Sequence, residues 1–153
     1  MGAYVRLAAM LGTSTLLMYF LSFLNTYQPD HIHFSQTRVW MALLMGAAMA
    51  FVMLGFMCDM YQDKRRNILV VIIACVCFGG ALWLVRSQRT VDDVAYMRAM
   101  IPHHSIAILT SERARIGDPE VRRLADGIIA TQRKEIGEME DLIAKLERQQ
   151  SRQ

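Results

Sequence analysis

The chain has 153 residues, of which 54% are apolar and 20% charged, with a formal net charge of +3. That much apolar surface excludes a disordered chain, and three cysteines (Cys58, Cys75 and Cys77) are too few for a disulfide-stapled mini-protein. The positive charge is small and scattered, with no basic stripe of the kind that nucleic-acid binding requires.

The charges divide the chain into two parts. Residues 1–85 hold five Lys/Arg and three Asp/Glu, whereas 86–153 hold twelve and eleven. Leu7 to Pro29, Val39 to Cys58 and Asn67 to Val85 carry no charge at all. Each is long enough to cross a hydrocarbon core of about 30 Å as a helix. The pattern predicts an all-α protein with a three-helix anchor in the lipid bilayer over 1–88, its spans at about 7–27, 39–58 and 67–86. The first stretch is long for a signal peptide and has no A-x-A-like site after Phe23, so it reads as an uncleaved span.

The first connecting loop holds Asp30, His31 and His33. In an extended segment both imidazoles point to one face, where they serve as an accessory metal pair or as polar residues near lipid headgroups. Span two carries Met41, Met45, Met49, Met53 and Met57 at every fourth position. They read as a pliable packing ridge or as a ladder of soft sites for Cu(I). Gly46 and Ala50 predict close packing of another helix. Cys75 and Cys77 lie about 200° apart on span three and cannot readily chelate one ion together.

Orientation follows from the loops. Lys64, Arg65 and Arg66 stand together in the second loop, and Arg6 lies on the same side. Positive residues favour the cytoplasm, so the N-terminus is expected inside and the C-terminal segment outside, in the periplasm of a bacterium whose inner membrane holds the anchor.

Residues 89–153 read as a helical hairpin. Thr90 with Asp93 resembles a capping box, which predicts a helix over about 91–116. Gly117 suits the left-handed position that ends it, Asp118 the N-cap and Pro119 the first residue of a second helix over about 119–148. Pro102 should kink the first helix. Antiparallel pairing brings Met97 towards Met139, Met100 towards Ile136 and His104 towards Gln132, with Glu135 beside His103 and Met100. Thioethers with imidazole suit Cu(I), and imidazole with carboxylate also accepts Cu(II) or Zn(II). The plainer reading is a packed seam. No nucleophile–base arrangement, phosphate loop or zinc-protease motif occurs, so no enzymatic activity is expected. A lone hairpin buries little apolar surface, which points to a homo-oligomer.

The runs M-R-A-M-I-P-H-H-S-I-A-I (97–108), G-D-P-E-V-R-R-L-A (117–125) and I-I-A-T-Q-R-K-E-I-G-E-M (128–139) resemble domain-of-unknown-function family 305 over residues 91–143. The preceding spans resemble its membrane-anchored branch. The resemblance implies a ferritin-like helical domain, with copper binding in some members. It places metal ligands at Met97, Met100, His103, His104 and Met139, and matches Gln132 and Glu135 as supporting residues. Many copper-binding members have another methionine shortly after the His pair, where this chain has Leu109 and Thr110. The function so implied is capture or buffering of copper beside the membrane, with metal-handling proteins as partners.

Overall fold

Asp63, Asp92 and Asp118 each start a helix. The Asp63 carboxylate accepts hydrogen bonds from the backbone N–H groups of Arg65 and Arg66, at 3.0 and 3.2 Å. Asp92 accepts from Ala95 at 2.7 Å, and Asp118 from Glu120 and Val121 at 2.8 and 3.0 Å. A carboxylate here satisfies otherwise unpaired amide donors at the positive end of the helix dipole.

The computed structural model describes residues 2–57 and 59–151. It contains α1 (Ala3–Leu21), a 3-10 turn (Pro29–His31), α2 (Gln36–Phe56), α3 (Lys64–Ser87), α4 (Asp93–Arg113) and α5 (Pro119–Gln150), with no strand among the described residues. The chain forms two compact units. One joins Met1–Ser22 with Thr37–Thr90; the other joins Phe23–Gln36 with Val91–Gln153. The loop between the first two long helices therefore belongs with the hairpin, although sequence continuity groups it with the anchor.

In the first unit, α1, α2 and α3 are long and apolar enough to cross a membrane. The expected first span reaches residue 27, but α1 stops at Leu21. The Ser22 hydroxyl donates to the Tyr19 carbonyl at 2.6 Å, and the Arg38 guanidinium donates to the Ser22 carbonyl, so side chains satisfy the helix end. At the opposite end of α1, Tyr4 Oη donates to Asn67 Oδ1 at 2.8 Å. That bond holds the start of α1 beside the start of α3. Ala42, Gly46, Ala47 and Ala50 form the buried side of α2. A Cβ on Gly46 would stand 2.2 Å from Thr15 Oγ1, so α1 and α2 approach as closely as the small residues allow. Met41 and Met45 are exposed, Met49, Met53 and Met57 half-buried, as in a ridge that meets lipid or a neighbour. Cys75 and Cys77 are free and exposed; Cys58 lies outside the described residues.

In the second unit, α4 and α5 pack against each other around Met97, Ile101, Ile108, Ile136 and Ile143. Three expectations change. The N-cap of α4 is Asp92 rather than Thr90, because Asp92 directly precedes the helix and its carboxylate reaches the free Ala95 N–H of the first turn. The helix ends at Arg113, and Ala114 leaves it in an extended conformation. Gly117 does not take a left-handed conformation; no described glycine does. The Arg122 guanidinium donates to the Ser111 carbonyl at 3.0 Å, which satisfies the end of α4 without a left-handed residue. α4 continues through Pro102 as one helix.

Candidate functional site

The seam between α4 and α5 repeats in heptads. On α5 the inward residues are Ala125, Ile129, Gln132, Ile136, Met139, Ile143 and Leu146, alternating steps of four and three. On α4 they are Val94, Met97, Ile101, His104 and Ile108. His104 and Gln132 are polar positions within this seam, and half-buried Glu135 flanks it.

His104 spans the seam. Its Nδ1 lies 2.9 Å from the Met100 carbonyl oxygen and its Nε2 lies 2.9 Å from Glu135 Oε2. A carbonyl only accepts, so the hydrogen is on Nδ1. That leaves two states for Nε2. In the imidazolium it donates to the carboxylate. In the neutral ring, its lone pair faces a carboxylate oxygen, and two acceptors at that distance require a proton or a metal cation between them. A backbone carbonyl holding one ring nitrogen while the other faces outward is the usual support of a metal-binding histidine. The His104 side chain is 14% exposed and Glu135 44%, so the pair lies at the edge of the seam, within reach of solvent.

The other sequence candidates divide into groups. Met97 is buried in the hairpin core, and Met139 packs against the same cluster. Both line a groove of about 490 Å³ with Tyr96, Leu142 and Leu146. Met100 is half-buried and supplies its carbonyl to His104. His103 is exposed, its ring centroid 6.2 Å from that of His104. Glu135 meets His104 rather than His103, and Gln132 is half-buried beside it. The register is thus close to the expected one, with the carboxylate one step nearer to His104. Among the described residues no group of three or more His, Cys, Asp or Glu is placed to hold one ion. A metal at His104 and Glu135 would draw its remaining ligands from thioethers or water.

His31 and His33 do not share an open face. His31 is buried, and its Nδ1 lies 2.9 Å from Ser105 Oγ. Tyr27 N–H donates to the same hydroxyl at 2.8 Å. Ser105 is fully buried, so its hydroxyl clasps the loop to α4 from inside the unit. His33 is half-buried, and its Nε2 is buried without a hydrogen-bond partner. Burial lowers its pKa below the usual histidine value, as do the Arg98 guanidinium and His31; Glu140 opposes them. Sequence reasoning missed the role of Ser105. The available signal was a small polar residue four places after Ile101 and three before Ile108, on the apolar strip of α4.

The model for the domain of unknown function DUF305 matches residues 93–153, the region of α4 and α5. An uncharacterized protein of Acanthamoeba polyphaga mimivirus is 33% identical over 106 residues, which is 68% of this chain and 68% of that protein. The chain belongs to the DUF305 family. The similarity to the viral protein is longer than the DUF305 domain, so it extends into the helices before α4. No solved structure matches this DUF305 protein.

Proposed function

We propose that this DUF305 protein is a membrane-anchored metal-binding protein that captures or buffers copper through its α4–α5 hairpin. The observation that carries the reading is the His104 ring, with Nδ1 held by the Met100 carbonyl and Nε2 aimed at Glu135. Met97 and Met139 line one groove along the seam and half-buried Met100 lies one turn before His104; their thioethers are the soft donors that would favour Cu(I), while the imidazole and carboxylate also suit Cu(II). His104 is the anchoring ligand, exposed His103 a further one, and Glu135 a ligand or the group that orients the ring. Three apolar helices support a bilayer anchor. Tyr4, bonded to Asn67, keeps the N-terminus beside the Lys64–Arg66 cluster, in keeping with both lying on the cytoplasmic side and the hairpin on the periplasmic side of a bacterial inner membrane.

The test uses the full chain purified in detergent, exposed to Cu(I) under reducing conditions and then desalted. Metal analysis should find bound copper, and His104→Ala should lose it while far-UV circular dichroism stays unchanged. An intact, helical protein that retains no copper would overturn the reading.

A further inference from the structure

The hairpin has two flanks, and this chain covers one of them. Tyr27 and His31 of the loop lie over a small cleft that Ile108, Arg133, Ile136, Gly137 and Glu140 line. The other flank of α5 carries Val121, Leu124 and Ile128, which are 50%, 66% and 37% exposed. Leu124 and Ile128 line an open groove with Glu120, Arg123, Gly127, Thr131 and Gln132. At this height the seam with α4 uses Ala125 and Ile129 instead.

Gly127 is the second observation. A glycine in mid-helix costs about 1 kcal/mol relative to alanine. A Cβ at Gly127 would meet nothing within 4 Å, so packing within this chain gives no reason for it. It lies on the uncovered flank, where the absence of a side chain lets another helix approach closely.

The charges select the partner. Glu120 and Lys134 lie seven residues to either side of Gly127, and two turns of helix bring both to the same side of α5. We infer that this flank is the contact surface for a second copy of the chain, paired antiparallel about a two-fold axis at Gly127. In that register Glu120 meets Lys134 of the second copy, and Lys134 meets its Glu120. Within the chain the Lys134 ammonium meets the exposed Glu138 carboxylate at 3.5 Å. Leu124 lies about 60° round the helix from Gly127, on the side nearer α4, so it borders the contact in both copies. Such a contact is isologous: one patch serves on both sides, and it closes as a dimer.

The test uses the full-length chain in detergent with Cys58, Cys75 and Cys77 changed to serine. Oxidation of a Gly127→Cys variant should give a covalent dimer. Asp126→Cys, exposed but about 100° round the helix, should not. Leu124→Glu should raise the concentration at which half the protein is dimeric by at least about 10-fold, with helical content unchanged. Lys134→Glu should weaken the dimer, and Lys134→Glu with Glu120→Lys should restore it. A monomer by light scattering would overturn the inference. So would a dimer that Leu124→Glu leaves intact, or one that cross-links equally at 126 and 127, since the spans would then hold it together.

Discussion

His104 and Glu135 are 31 positions apart in the chain and 2.9 Å apart across the α4–α5 seam. The carbonyl that fixes the ring hydrogen on Nδ1 comes from Met100, one helical turn earlier. An acidic oxygen is thereby aimed at a nitrogen whose lone pair is free whenever the ring is neutral. Either a proton or a metal ion resolves that contact.

Glu135→Gln keeps the shape and removes the charge. The amide can donate to Nε2, which occupies the lone pair a metal would use. Copper affinity should fall about 10-fold or more. Stability should change by no more than about 1 kcal/mol, because the carboxylate is partly exposed. Competition with a chromogenic chelator and a thermal melt of the same samples measure the two effects.

Ser105→Ala should loosen the loop. It leaves the Tyr27 N–H and His31 Nδ1 without their shared partner, at a cost of about 1–3 kcal/mol for the buried groups. Hydrogen exchange should rise in residues 27–33 and stay slow around Ile136 and Ile143. Unchanged exchange in the loop would show that the hydroxyl does not hold it.

His33 sets a pH dependence. Its pKa is lowered in the folded chain, first by burial and then by Arg98 and His31, with Glu140 opposing. The unfolded chain therefore binds a proton more readily than the folded one. Stability should be level above the ordinary histidine value of about 6.5, and should fall as pH drops from there to the lower folded value. Thermal melts between pH 8 and 5 should show this decline, and His33→Gln should flatten it.

Gly46→Ala should separate α1 from α2, because the new methyl would lie 2.2 Å from Thr15 Oγ1. The expected cost is about 1–3 kcal/mol. Thr15→Ala in the same chain removes that oxygen and should recover most of the loss. Unfolding of the full chain in mixed micelles measures both variants.

Much of this protein could be read from the residue order. Gaps in charge located the three apolar helices, since lipid excludes both charge and unpaired backbone. Asp118 and Pro119 marked the start of α5, because a helix N-terminus needs an acceptor and tolerates a missing N–H. Helical spacing brought His104, Met97 and Met139 to one seam. Helix ends were less legible. Leu21 and Arg113 end their helices through bonds from Arg38 and Arg122, which arrive from other helices.

Only the tertiary structure decided what each polar side chain meets. Periodicity gives the direction of a side chain to within part of a turn, but a hydrogen bond depends on fractions of an ångström. Glu135 therefore belonged to His104 only once two helices were packed. Ser105 acquired its role from a loop some 74 residues away in sequence, and no local pattern encodes that distance. The exposed line of Val121, Leu124 and Ile128 likewise became visible only when α4 had taken the neighbouring strip, because burial is a property of what packs against a residue.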